Sequence, residues 1–405
     1  MKKIIIIWCV FFSTLVIAEE NKGITEAQLN KLIKSAEQMR NLSFKSAITT
    51  KVVTRQEIQS YIKEQLYREY SKEDIRNEEA FLKVFKLVTK DFGLEKFLLD
   101  FMTEQAAGIY DDANKKLYIA DWIPAELQEP ALFHELIHAL DDQYFDLRTY
   151  LKKATLNDQK LARAAVVEGV GTYFMLKYLL SALQIDSEAL DLDMLANFTD
   201  IASLPGMENA ANAPKYLQGQ LLFPYLKGMS LINKYIKKNS IDSLSTLYEK
   251  PPLSTEQVIH FEKYPTDKPV LMKINVKTGT GELAKWKKLT ENNIGEYSLF
   301  LILKEKVPGE ESETATEGWG NDVFVLLQNG DKYAIVFKTV WDTSMDAREF
   351  YDTFNKWCGG QHETKENTTW SKNADSGCLN SVQNSTVKLV VGAVDRKTAE
   401  LLLAE

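Results

Sequence analysis

His134 and His138 stand four residues apart with Glu135 between them, in the run Leu132-Phe133-His134-Glu135-Leu136-Ile137-His138-Ala139-Leu140. On a helix, positions i and i+4 share a face one turn apart, so both imidazoles can reach one ion. Zinc accepts imidazole nitrogen at about 2.0–2.1 Å. Glu135 leans over the same face and need not bind metal. A carboxylate there can take a proton from a metal-bound water and pass it to a leaving amine. The chain holds only four histidines, which makes a random match to this spacing rare. The residues around the pair are apolar, as a helix buried behind a metal requires. The competing reading is a core helix whose two histidines are satisfied by hydrogen bonds.

A catalytic zinc keeps three protein ligands and an open position. Glu168, in Ala164-Ala165-Val166-Val167-Glu168-Gly169, is the expected third ligand. It is an acid inside an apolar helical face, and a buried carboxylate without a partner is costly. An exposed side chain, or one paired with Arg163 or Lys177, would account for it otherwise. Asp146 and Asp158 fit less well, and Asn157 or Asp158 reads as the cap of that helix. No third histidine follows soon after His138, which argues against a three-histidine centre.

Two histidines and a downstream glutamate resemble the gluzincin group of zinc peptidases, the thermolysin-like arrangement. The likeness extends through Ala106-Ala107-Gly108-Ile109-Tyr110-Asp111, His134 to Gln143, and Val167-Glu168-Gly169. With Pro251-Pro252-Leu253-Ser254-Thr255-Glu256-Gln257-Val258-Ile259-His260 and Gly318-Trp319-Gly320-Asn321-Asp322, these segments resemble a family of exported prokaryotic gluzincin-like proteins over about residues 50–350. The resemblance implies a zincin-like fold and peptidase activity, and no particular substrate. Two positions depart from the pattern: Phe261 stands where proline is expected, and Val170 where an acid is expected. Gluzincins commonly stabilise the oxyanion with a distant histidine or tyrosine, so the resemblance suggests His260 for that role, with Tyr264 as alternative. A structural histidine capping a carbonyl is the other reading of His260. Asp142, four residues after His138, could accept the second ring N–H of a ligand histidine, or be a solvated helix end beside Asp141 and Asp146. By analogy with zincins, Leu117–Ala120 is an edge strand able to pair with extended substrate.

The elements that would position these residues follow from period and punctuation. Thr25-Glu26-Ala27-Gln28 and Ser254-Thr255-Glu256-Gln257 are capping boxes. Ile48–Val53 reads as a short strand, and Glu57–Tyr70 and Glu78–Val88 as amphipathic helices. Ala107–Tyr110 and Leu117–Ala120 read as a hairpin, and Pro124–Leu147 and Asn157–Leu183 as helices. Pro130 falls near the first turn of the former. Residues 184–230 carry no clear period. Asn329-Gly330 between Val323–Leu327 and Tyr333–Val340 marks a second hairpin, followed by a helix over Met345–Trp357 and a strand over Val387–Val394. Trp319, Trp341 and Trp357 are expected in the core. His362 receives no role.

The expected class is α+β: an N-terminal helical region at 19–105, a zincin-like catalytic core at 106–267 and a small C-terminal α+β domain at 268–405. A chain of 405 residues with 45% hydrophobic content supports two or three domains. The net charge of -8 and the absence of a basic stripe exclude a nucleic-acid footprint. Lys2, Lys3, the apolar run Ile4–Ile17 and Val16-Ile17-Ala18 read as a signal peptide over 1–18, since the run is short of the roughly 20 residues a membrane span needs. A retained anchor is the alternative; after cleavage no membrane-integral segment is expected. Cleavage removes Cys9 and leaves Cys358 and Cys378, which an oxidising compartment would join; two free thiols are the alternative. The expectation is an exported, periplasmic or secreted Zn2+ peptidase with His134, His138 and Glu168 on the metal, acting on a peptide or protein substrate. A zinc-bound but catalytically silent binding or assembly protein, or a hydrolase of a non-peptide amide, uses the same residues.

Overall fold

The computed structural model describes residues 24–186, 192, 212–373 and 376–404. The proposed signal segment 1–18, with Cys9, lies outside the described residues. The class is α+β, as expected.

The chain opens with α1 (Glu26–Arg40), started by the reciprocal Thr25–Gln28 capping box. Its inward face carries Leu32, Ala36 and Arg40. Next come β1 (Thr49–Val53), α2 (Arg55–Glu69), α3 (Lys72–Val84) and α4 (Leu94–Gln105). The hairpin β2 (Gly108–Asp111) and β3 (Lys116–Ala120) leads into α5 (Ala125–Phe145), α6 (Leu147–Lys152) and α7 (Asn157–Ala182). Pro130 is the sixth residue of α5 and so lies inside the helix, beyond the first turn. A long helix, α8 (Lys215–Lys238), occupies part of the stretch expected to be irregular. Gly219, Pro224 and Gly228 break up its helical signature in sequence; packing on α7 holds it together.

β1 pairs in parallel with β3, and β2 pairs with β3 antiparallel, in the order β1-β3-β2. The strand expected at the edge, Leu117–Ala120, is therefore the central one. A parallel partner arriving from residue 49 cannot be read from the local pattern, because it is a long-range pairing.

Two short helices follow, α9 (Ser245–Glu249) and α10 (Thr255–Ile259). The box expected at α10 forms only by half. Ser254 accepts the Gln257 N–H at 3.3 Å, while the Gln257 amide turns away to Leu253 and Asp267. Beyond them come β4 (Lys287–Asn292), α11 (Glu296–Lys304), α12 (Gly309–Thr314), β5 (Trp319–Asn329), β6 (Lys332–Trp341) and α13 (Ser344–Cys358). The chain closes with β7 (Gln361–Lys365), β8 (Thr368–Asn373), β9 (Ser376–Gln383), β10 (Thr386–Gly392) and α14 (Arg396–Leu403). The strands β4 to β10 form one seven-stranded antiparallel sheet in the order β4-β5-β6-β10-β9-β8-β7. Alternate residues serve its two covered faces. Phe324, Leu326, Ile335 and Phe337 enter one core, and Val325, Leu327, Ala334 and Val336 the other. The three expected tryptophans are buried, and a disulfide joins Cys358 at the end of α13 to Cys378 on β9.

The boundary expected at 105/106 does not separate two cores. Helices α2–α4 share one core with the C-terminal sheet: Phe81 of α3 meets Phe324 of β5 at 5.1 Å, and Phe85, at the end of α3, meets Trp357 of α13 at 5.8 Å. Helix α1 instead packs with α5 and α7. A buried ion pair pins it there: Arg40 Nε donates to Asp141 Oδ1 at 2.8 Å, and Tyr248 donates to the other oxygen at 2.6 Å. Arg40 and Asp141 side chains are only 3% and 1% exposed. Removing one partner of such a pair leaves a buried charge unmatched, at about 3–5 kcal/mol. Arg40→Met is therefore expected to lower unfolding stability by about that amount, seen as a lower urea midpoint at unchanged slope. A loss below about 1 kcal/mol would remove the pair from the list of structural anchors.

Candidate metal centre

His134, Glu135 and His138 project from the inner face of α5 and are at most 1% exposed. Glu168 comes from α7, which packs across α5, and is 1% exposed. The nitrogens His134 Nε2 and His138 Nε2 stand 2.6 Å apart. Glu168 Oε2 lies 3.2 Å from the first and 3.5 Å from the second. The imidazole planes are nearly perpendicular, at 86°. Three ligands on a tetrahedral zinc, each at about 2.0–2.1 Å, stand about 3.3 Å from one another. Glu168 Oε2 stands at that spacing from both nitrogens, while the two nitrogens lie closer to each other than it.

The donor chemistry fits a divalent cation. Burial holds the His134 imidazole down to about 3 and His138 well below its ordinary range, so both rings are neutral near pH 7. Burial, and then the neighbouring Glu135, push the Glu168 carboxyl well above its usual range. Burial also raises Glu135. Glu168 Oε1, Glu135 Oε1 and His134 Nδ1 are buried with no hydrogen-bond partner. The two α7 cations nearest Glu168 in sequence are used elsewhere: Arg163 donates to the Tyr150 carbonyl at 2.6 Å, and Lys177 lies over the Tyr173 ring. Two buried carboxyls without a counter-charge are what a metal would balance.

Local sequence explains how the pieces approach. A β-carbon on Gly171 would fall 2.7 Å from His134 Cε1 and 2.8 Å from His138 Cε1, so α7 reaches the imidazoles only because glycine stands there. Gly169 and Gly228 bring α7 and α8 into backbone contact. Gly108 lets β2 lie against Leu132 and Glu135 of α5. The next strand position but one then donates: Tyr110 N–H bonds Glu135 Oε2 at 2.7 Å and fixes that carboxylate.

Tyr225 of α8 is a residue that sequence reasoning missed. Its ring lies 6.1 Å from that of His134, at 30°. It is one of 17 tyrosines. Only the Pro224 and Gly228 that flank it set it apart, and they read as helix breakers.

His260 is not brought to the triad. Its Nε2 bonds Glu296 Oε1 at 2.8 Å, and this partner holds its pKa above the usual histidine value. The next residue back, Gly295, lies against Asp158. Asp158 precedes Glu168 by ten residues, about 15 Å of helix. Tyr264 is likewise engaged elsewhere, donating to the Lys250 carbonyl at 2.6 Å. Asp142 does not serve a ligand histidine. It accepts from Tyr110 Oη at 2.7 Å, Lys115 Nζ at 2.5 Å and Leu147 N at 3.0 Å. Nor is Asp158 a cap: α7 has no side-chain cap, and the Asp158 carboxylate accepts Thr255 N–H and O–H at 3.0 and 2.5 Å. A second acidic group, Glu256, Asp267 and Asp342, surrounds the Lys263 ammonium, which already supplies it with a counter-charge.

The fold and site thus define an α+β protein with a buried cluster of two histidines and two glutamates on crossed helices. A family model described as a domain of unknown function, DUF8575, matches residues 283–402, from just before β4 into α14. That span contains none of the four cluster residues. No curated protein and no solved structure matches the chain.

Gly171→Ala is expected to force the imidazoles off their present positions while the chain still folds, since overpacking costs about 1–3 kcal/mol. Metal retained after dialysis should fall at least about tenfold. Gly93→Ala, where nothing lies within 4 Å of the added carbon, should leave it unchanged. Equal metal retention in both variants would contradict the packing argument.

Proposed function

We propose that the chain is an exported zinc-dependent peptidase of gluzincin type. His134, His138 and Glu168 hold the metal, and Glu135 is the general base. The observation that carries this reading is the meeting of three buried ligand groups, whose atoms all lie within 4.8 Å of one another, beside a second buried carboxylate, Glu135. Export is supported by the apolar N-terminal run and by the Cys358–Cys378 disulfide, which belongs to an oxidising compartment. Among the described residues no helix is long and apolar enough to cross a membrane.

Zinc supplies a Lewis acid that polarises a carbonyl and makes water a nucleophile near neutral pH. The chain's own residues do the rest. Glu135, raised by burial, is basic enough to accept a proton from water and deliver it to the departing amine. Tyr110 N–H holds one oxygen of Glu135, leaving Oε1 unpartnered and available for that proton. The burial of all four side chains excludes bulk water and strengthens each charge interaction.

Purified full-length chain is expected to carry about one zinc per molecule and to cleave members of a peptide library. Chelation should abolish cleavage, and zinc should restore it. Glu135→Gln should keep the metal and lose about 100-fold or more in turnover. Full activity in that variant, or a wild type that binds no zinc, would sink the reading.

A further inference from the structure

We propose that Tyr110 is a positioning residue for the general base: its phenol, held on Asp142, sets the backbone N–H that orients Glu135. The inference rests on the peptidase reading above and adds to it the device that aims the base.

Glu135 and Asp142 both belong to α5 and stand seven residues apart. Seven residues make almost two full turns, so the two carboxyls share a face about 10.5 Å apart along the axis. Tyr110 of β2 meets both. Its N–H donates to Glu135 Oε2 at 2.7 Å, and its Oη donates to Asp142 Oδ2 at 2.7 Å. A single strand residue thus clips α5 at two points. All three residues are at most 4% exposed.

Each end of the clip is fixed. Asp142 also accepts Lys115 Nζ at 2.5 Å and Leu147 N–H at 3.0 Å, which hold its carboxylate against the phenol. Lys115 comes from the same hairpin, whose turn is closed by Asp111 Oδ1 accepting from Ala113 and Asn114 N–H at 2.9 and 3.1 Å. At the other end, Gly108 lets β2 lie against Leu132 and Glu135. β2 is an edge of its sheet, and it spends the Tyr110 N–H on the carboxylate rather than on a neighbouring strand. Glu135 Oε1 is buried without a partner, so the bond at Oε2 gives the carboxylate its direction. A general base must meet its proton within about 2.6–3.2 Å, and a displacement near 1 Å can cost about 100-fold. Asp142, expected from sequence to serve a ligand histidine, acts on the base instead.

Tyr110→Phe keeps the ring and the N–H and deletes the phenol donor. In the zinc-loaded full chain, kcat on a cleaved peptide should fall about tenfold, with KM and zinc affinity within about twofold of wild type. In a Glu135→Gln background the same substitution should lower the residual turnover no further, because a residue acting through the base is silent once the base is gone. In the metal-free chain, amide hydrogen exchange at position 110 should quicken about tenfold while the β3 amides keep their rates. The proposal is overturned by a kcat within about twofold of wild type, by zinc affinity falling in step with kcat, by an equal loss in the Glu135→Gln background, or by unchanged exchange at position 110. A Tyr110→Phe chain that fails to fold also overturns it, since the phenol would then be a bond of the fold alone. Wild-type chain that binds no zinc or cleaves nothing sinks the peptidase reading instead; the exchange measurement, made without metal or substrate, still decides whether the phenol holds the donor in place.

Discussion

Burial of charge without a protein counter-charge is the constraint around which this molecule is arranged. Glu135 and Glu168 lie at most 1% exposed beside two neutral imidazoles, and no lysine or arginine is directed at them by any contact described above. Water cannot solvate these carboxyls, and the low dielectric magnifies the cost of ionising both. Such a cluster is poor material for stability and good material for holding a cation. The proposed zinc centre is the reading that turns this cost into a binding energy.

The same constraint explains the close helix packing. For Glu168 to meet the imidazoles, α7 must approach α5 more tightly than ordinary side chains permit, and Gly171 removes the obstruction. Helix α8 must in turn close over α7, and Gly169 and Gly228 let the two backbones touch. Further along α5, Asp141 is tied to Arg40 of α1 and to Tyr248, while Asp142 is tied to Tyr110 and Lys115. The turn after His138 is thus fixed from both sides of the chain, so the N-terminal helix α1 is part of the scaffold of the centre.

At the far end of α7 lies a joint between this scaffold and the C-terminal sheet. Asp158 accepts from Thr255, and Gly295 packs on its carboxylate. Asp322 accepts the N–H groups of Ile294 and Gly295 and the indole N–H of Trp319. The Ser254–His260 and Gly318–Asp322 segments, which look unrelated along the chain, meet here. Burial pushes Asp322 up to about 6, and three hydrogen bonds oppose that shift. His260 belongs to this joint through Glu296, which is why a histidine that attracted a chemical role in sequence stands apart from the cluster.

Sequence alone determined what depends on neighbours along the chain. The i, i+4 pair His134 and His138, the capping box at Thr25, the hairpin turn at Asn329-Gly330 and the α+β class all follow from local period and turn chemistry. Glu168 was legible because an acid in an apolar helical face demands a partner wherever that face packs. Tertiary structure alone decided the partners. It brought β1 beside β3, split the N-terminal helices between two cores, set α8 where glycines and a proline obscured the helix, and chose Tyr225 over His260 as the aromatic neighbour of the cluster. Those outcomes arise from contacts between segments far apart in the chain, whose energies depend on shape and burial that no local pattern encodes.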